Sequence, residues 1–234
     1  MIAGYSADQV RAAEAPLLAA GVPLMQRAAA GLAREVLGML DGVRGSAAPN
    51  VLALVGAGNN GADALYAAAI LAADGVDVAI VRTADRVHDA ALRAALAAGA
   101  REEAAGEVRR LATSADIVVD GILGTGTGTG AGSSPALRGL ARELVAAVLE
   151  AAPDVTVVAV DLPSGIGPDD GSVPDPVVLR ATVTVTFGGY KAGLLRAPGS
   201  HYAGEVRLVD IGLGDELAKV RPVVRFDELG DPER

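Results

Sequence analysis

At 234 residues and 51% hydrophobic, the chain can bury the core of one large α/β domain or two small ones; with aromatics at 3%, that core must be built from Ala, Val, Leu and Ile. A formal charge of -9 argues against a nucleic-acid or anionic-membrane partner, because phosphate-rich surfaces reward clustered Lys and Arg. No cysteine is present, which excludes disulfides, zinc-thiolate sites and a thiol nucleophile.

The N-terminus has no basic segment leading into an apolar signal core, and no apolar run approaches the ~18 to 20 residues of a membrane span, so the expectation is a cytoplasmic protein. Two helices come first. Ser6 and Gln9 have the spacing of a capping box, after which Val10, Ala13, Leu17 and Leu18 share one face until Gly21 and Pro23 break the helix. Met25, Ala29, Leu32, Val36 and Leu40 make a second stripe, which ends near "DGVRGSAAPN". Both helices read as scaffold.

From Asn50 the rhythm changes to β-branched runs separated by alanine-rich helices: "VLALVG", "VDVAIVR", "DIVVDGIL", "VTVVAVDL", "ATVTVTF" and "EVRLVDIG". Continuous apolar strands alternating with helices require a parallel sheet covered on both faces. The expected fold is a three-layer α/β/α, Rossmann-like, doubly wound and mostly parallel sheet of about six strands with N-terminal helices. Ligands of such folds sit beyond the carboxyl ends of the strands. We expect one domain over residues 1–214, followed by a tail, 215–234, that turns polar and frays.

Each strand end can then be asked what it presents. The first delivers Gly56-Ala57-Gly58-Asn59-Asn60-Gly61, a G-x-G-x-x-G string, with a helix expected from Ala62 or Asp63 to Asp74 and Asp63 capping or flanking its first turn. Glycine and asparagine tolerate positive φ, so such a turn can offer backbone N–H groups to an anion at a helix N-terminus. A hydride-transferring dehydrogenase would carry an acid about 20 residues on, to hold the ribose hydroxyls; the next strand offers Arg82 first and Asp85 only later. Asp120 ends another strand and runs into "GILGTGTGTG". That carboxylate can coordinate a cation, orient a loop amide or cap a turn, and the glycine loop can wrap phosphates through its N–H groups. "VDLPSGIGPDDG" then brings Asp161 and Ser164 to a further strand end. Gathered on one sheet edge, Asn60, Asp120, Asp161 and Ser164 supply hard oxygen ligands and one free acid. Lys191 reads as a solvated lysine at a strand end, and His88 and His201 as surface or turn residues.

In this order, "GAGNNGADAL", "VDGILGTGTG", "VDLPSG" and "TFGGYKAGLLRAPG…GEVRLVDIGL" resemble the N-terminal (YjeF-type) NAD(P)H-hydrate epimerases, and the leading helices, with Arg11, Glu14, Gly21 and "LMQRAA", are similar too. The resemblance spans roughly residues 5 to 213. It implies an isomerase, usually homodimeric, acting on NADHX or NADPHX, in which the nicotinamide ring is hydrated and carries a hydroxyl at C6. The family interconverts the R and S epimers so that a separate dehydratase can repair them. By motif, Asn59, Asn60, Gly61, Ala62 and Asp63 would bind the nucleotide with the loop Gly124, Thr125, Gly126, Thr127, Gly128, Thr129 and Gly130. Asn60, Asp120 and Ser164 would be potassium ligands, and Asp161 would contact the hydrated ring as the acid/base catalyst. Two positions depart from the family's "GNNGGDG": Ala62 and Ala64 replace glycines, each adding a methyl expected near the ligand. The competing readings are a non-catalytic nucleotide-binding or interaction module of the same fold and, behind it, a Rossmann dehydrogenase.

Overall fold

The computed structural model describes residues 2–41, 48–126 and 134–226. In chain order the elements are β1 (Ile2–Tyr5), α1 (Ala7–Ala19), α2 (Leu24–Leu40), β2 (Asn50–Val55), α3 (Asn59–Ala73), β3 (Asp77–Arg82), α4 (Asp89–Ala97), β4 (Arg101–Glu103), α5 (Val108–Ser114), β5 (Ile117–Gly121), α6 (Gly139–Ala151), β6 (Thr156–Val160), β7 (Val183–Phe187), β8 (Tyr190–Lys191), β9 (Glu205–Val209), α7 (Gly214–Leu217) and β10 (Val224–Phe226). None of the described helices is long and apolar enough to cross a membrane.

Seven strands form a parallel sheet in the order β4-β3-β2-β5-β6-β7-β9. Six are those expected. The seventh, β4, is the edge strand Arg-Glu-Glu, whose polar residues carry no apolar signal; it pairs with β3 at Ala79↔Arg101. Because side chains alternate along a strand, the apolar runs split between two layers. Val51, Ala53 and Val55 pack with Leu32, Val36, Leu65 and Ala68 of α2 and α3. Leu52 and Leu54 pack on the other face with Leu111 of α5 and Leu144 and Val148 of α6.

The chain starts the sheet at β2, runs outward through β3 and β4, then returns to the other side of β2 with β5 and proceeds through β6, β7 and β9. The order therefore reverses between β2 and β5, and a crevice opens beyond the carboxyl ends of strands at such a switch point. The polar groups expected at the ends of β2, β5 and β6 lie along this edge.

A second, three-stranded sheet, β10-β1-β8, was not legible in the sequence. β1 runs antiparallel to β10, with Gly4↔Val224, and parallel to β8, with Tyr5↔Lys191. The fold thus continues beyond residue 214, through α7 and β10.

The capping box forms as expected, with Ser6 Oγ accepting from the Gln9 N–H at 3.2 Å and Gln9 Oε1 from the Ser6 N–H at 3.0 Å. Val10 and Ala13 are buried, but Leu18, expected on the same face, is 56% exposed. In α2, Ala29, Leu32, Val36 and Leu40 are buried as the stripe predicts. His88 caps α4, its Nδ1 accepting from the Ala91 N–H at 3.1 Å.

Candidate active site

The glycine string at the end of β2 works by close approach rather than by unusual backbone angles. Helix α3 begins at Asn59, earlier than expected, with Gly58 as its N-cap and no side-chain cap, so Asp63 is not a capping residue. No residue from Gly56 to Gly61 has positive φ. A Cβ on Gly56 would instead overlap the Ile122 carbonyl oxygen, and one on Gly61 the Gly56 carbonyl oxygen, whereas Gly58 faces open space. The first and third glycines let β2, the start of α3 and the strand end of β5 touch backbone to backbone. Asn59 is exposed, while Ala62 and Ala64 lie in the apolar core, the Ala64 methyl against Gly121. The two departures from the family's glycines therefore thicken the helix–sheet contact and do not narrow a pocket.

Asn60, Asp120 and Ser164 converge, and the peptide of Leu123 is their meeting point. Asn60 Nδ2 donates to the Leu123 carbonyl at 2.9 Å, and Ser164 Oγ accepts from the Leu123 N–H at 2.8 Å. Asp120 Oδ1 accepts from Ser164 Oγ at 2.6 Å and from the Ile122 N–H at 3.3 Å; Oδ2 accepts from the Ser164 N–H at 2.8 Å. Asp120 is 1% exposed and makes no ion pair among the described residues. Burial raises its carboxyl above the ordinary value, opposed by the Ser164 and Ile122 donors. A carboxylate, an amide oxygen, a hydroxyl and a backbone carbonyl, gathered where a buried negative charge lacks a counter-charge, fit a hard, weakly charged cation such as potassium.

Beside this set lies a charged pair of which only one member was expected. Asp161, at the end of β6, is 8% exposed and adopts φ +67, the only positive φ at a non-glycine residue among the described residues. Such a conformation costs about 1 to 2 kcal/mol and persists where surrounding bonds over-determine it. Here the Asp161 N–H donates to the Val185 carbonyl at 2.8 Å, and Oδ1 accepts from the Phe187 N–H and Thr186 Oγ1, each at 3.2 Å. The same Oδ1 is paired with Lys191 Nζ. Among the described residues the side-chain bonds all fall on Oδ1, which leaves Oδ2 available to a bound molecule. Lys191 corrects the expectation of a solvated lysine: it is 2% exposed, with Nζ also donating to the Phe187 carbonyl at 2.8 Å and to Thr186 Oγ1 at 3.2 Å. One signal could have found it, since Lys191 is the sole charged residue between Arg180 and Arg196.

Two further carboxyls face this pair. Asp63, in the second turn of α3, is buried; burial pushes it well above the ordinary carboxylate range, with Asp161 and Glu14 adding to the shift and Lys191 opposing it. Glu14 of α1 is also raised, first by burial; Lys191 and Arg11 pull it down and Asp161 pushes it up. Helix α1 is thus more than scaffold. Arg11, one turn before Glu14, donates from Nη1 to the Thr125 carbonyl at 3.2 Å, tying the helix to the start of the glycine loop. Gly124 packs on Asn60, where a Cβ would sit 3.0 Å from Oδ1, and Gly126 is exposed. Thr127, Gly128, Thr129 and Gly130, expected to bind the nucleotide, lie outside the described residues. Arg82 is held by Glu102, which follows Arg101 in β4, at 2.7 Å.

Comparison with known proteins adds sequence and fold relationships. Residues 21–193 match the model of the family described as YjeF-related protein N-terminus. The chain is 56% identical over 231 residues to the NAD(P)H-hydrate epimerase of Clavibacter sepedonicus, covering 95% of each chain. It is 44% identical over 217 residues to the bifunctional NAD(P)H-hydrate repair enzyme Nnr of Mycobacterium tuberculosis H37Rv, covering 89% of this chain and 41% of that one. Among solved structures, yeast ynu0 superposes with a TM-score of 0.75 over 97% of both chains at 17% identity, a likeness of fold.

Proposed function

The chain belongs to the family described as YjeF-related protein N-terminus, and from that membership we propose that it is an NAD(P)H-hydrate epimerase, an isomerase that interconverts the R and S epimers of hydrated NADH or NADPH. The 56% identity to a relative of that name supports the activity. The observation that carries the mechanism is Asp161, at a sheet edge beside a topological switch point, with one carboxylate oxygen held by Lys191 and the other bonded to none of the described residues.

The reacting carbon of such a hydrate, C6, is a hemiaminal carbon bonded to a hydroxyl and to the ring nitrogen. Its configuration is lost either when the hydroxyl departs to leave an iminium or when the ring opens, and is set again when water adds or the ring closes. Both routes move a proton at an oxygen, which a positioned carboxylate serves as acid and base in turn. Asp161 takes that role. Lys191, Thr186 and the Phe187 N–H fix its orientation through Oδ1, so Oδ2 faces the hydrate. Asn59 to Asp63 and the loop from Gly124 would cradle the nucleotide, with Arg11 steadying the loop at Thr125. No redox change accompanies the reaction.

Asn60, Asp120, Ser164 and the Leu123 carbonyl would hold a potassium ion. Its contribution when bound would be to offset the buried charge of Asp120 and stiffen the junction of β5, α3 and the Pro163–Gly165 turn. The protein would act as a homodimer in company with a dehydratase; the name of the bifunctional mycobacterial relative supports the second association.

The test adds the purified protein to the R epimer together with an S-specific dehydratase and ATP. The R pool should drain, and Asp161→Asn should abolish the drain; an R pool that persists as it does without the protein overturns the reading. Exchanging potassium for a bulky organic cation should slow the reaction, and returning potassium should restore it. Sedimentation of the purified chain checks the dimer.

A further inference from the structure

We propose that Gly4 is a positioning residue of this site: by leaving β1 without a side chain at that point, it lets β8 bring Lys191 against Asp161. The inference rests on the epimerase reading and places part of the catalytic geometry in the small sheet, at the start of the chain.

The backbone that carries Lys191 does not belong to the sheet that its side chain serves. β7 ends at Phe187, and Gly188, at φ +70, turns the chain away from the seven-stranded sheet. β8, which is only Tyr190 and Lys191, then pairs with β1 and with no other described strand, at Gly4↔Tyr190 and Tyr5↔Lys191. From there the Lys191 side chain folds back to the large sheet, where Nζ donates to Asp161 Oδ1, Thr186 Oγ1 and the Phe187 carbonyl. The ion pair thus spans two sheets, and its geometry depends on how closely β1 holds β8.

β1 is gripped from its other side as well. The Val223 N–H donates to the Gly4 carbonyl at 2.9 Å, and β10 continues the pairing with Gly4↔Val224. Just after β1, Asp169 Oδ1 accepts from the Ala7 N–H at 2.7 Å, and Gln9 Nε2 donates to the Arg221 carbonyl at 2.8 Å. Within this clamp Gly4 is buried, and its φ is not in the positive region. A Cβ there would overlap Val224 Cγ1 and come 2.9 Å from Leu195 Cδ1 and 3.3 Å from the Cα of Ala192, the residue after Lys191. The glycine therefore answers a need for close approach, and a methyl would press β1 away from the backbone that carries Lys191. Nζ has fixed acceptors and Lys191 is buried along its length, so a shift of that backbone lengthens the bonds that orient Asp161. Misplacing a reacting group by about 1 Å can cost ~10²-fold in rate.

The experiment compares the full-length parent, Gly4→Ala and Gly4→Ala/Val224→Ala in R-to-S exchange and in lysine modification. Lys191 and the exposed Lys219 are the only lysines of the chain, so acetic anhydride followed by peptide mass spectrometry reports each separately. The parent should be modified at Lys219 and shielded at Lys191. In Gly4→Ala, kcat per folded molecule should fall about 10- to 100-fold with KM little changed, and Lys191 should become modifiable. Removing Val224 Cγ1 in the double variant should restore both. A glycine that serves stability alone would leave the kcat of folded molecules and the shielding of Lys191 as in the parent, and that result overturns the inference. Modification of Lys191 in the parent as readily as Lys219 overturns it too. Should Gly4→Ala not fold, Gly189→Ala presses the same β1–β8 seam more gently, its Cβ meeting the ends of the Tyr5 and Leu217 side chains. A smaller fall in kcat with Lys191 opened supports the assignment; parent-like values overturn it. A parent that shields Lys191 but shows no exchange would instead refute the epimerase reading, and with it a positioning role in that reaction.

Discussion

Lys191 Nζ and Asp161 Oδ1 meet in a buried ion pair that joins β8 to the end of β6, between residues 30 positions apart in the chain. Removing one partner of such a pair strands the other charge in a low-dielectric setting. Lys191→Met should therefore lose about 3 to 5 kcal/mol of stability, read from urea unfolding. The double variant Lys191→Met/Asp161→Asn should cost clearly less than the sum of its single changes, since it leaves no stranded charge.

The glycines of the β2–α3 turn should separate by sterics. Gly56→Ala places a methyl into the Ile122 carbonyl, rigid backbone that cannot give way, and overpacking of that kind costs about 1 to 3 kcal/mol. Gly58→Ala meets nothing within 4 Å and changes only an N-cap, so about 1 kcal/mol is expected. Urea midpoints of the two variants, compared at equal slope, decide whether close approach is the reason for the pattern.

Asp63 makes stability depend on pH with a definite sign. Its folded-state titration lies above the unfolded value of 3.8, so the folded chain binds the proton more tightly. That contribution is fully present below 3.8 and is lost as pH rises through the folded value. Asp63→Asn, which cannot ionise, should consequently gain stability over the parent as pH rises from 3.8 toward the folded-state titration and level off beyond it, and the difference should close toward acid. Denaturant unfolding at a series of pH values tests this; a difference that widens toward acid would contradict the environment described for Asp63.

Arg11 links α1 to the Thr125 carbonyl across 114 residues of chain. Arg11→Ala should raise KM several-fold by loosening the start of the glycine loop and leave kcat less affected, because Arg11 makes no bond to Asp161 or Lys191. Steady-state kinetics on the R epimer separate the two parameters. Ser6→Ala, which removes the α1 cap, should cost about 1 kcal/mol.

Much of this site is legible in the amino-acid sequence. Asn60, Asp120 and Ser164 were expected on one edge because glycine, proline and asparagine mark the ends of apolar strands and parallel topology aligns those ends, and they meet at the Leu123 peptide. The motif did not reveal why its glycines are there: positive φ was the reason expected, but the backbone is ordinary and contact with Ile122 and Gly56 excludes a Cβ. Helix α1 read as scaffold because its apolar stripe is what periodicity reports, while Arg11 and Glu14 beside that stripe entered only through the family resemblance.

By itself, the sequence determined the layered α/β architecture, six of the seven parallel strands and the edge on which the chemistry lies, since these follow from hydrophobic period and turn residues within short windows of chain. Only the tertiary structure decided the pairing of β4, the closure of β1 on β8 and β10, the burial of Lys191 against Asp161, and the burial of Asp63. Each of these depends on partners far away in the chain. Whether a charged side chain ends in water or in a buried ion pair is fixed by which elements come to surround it, and no local pattern carries that information.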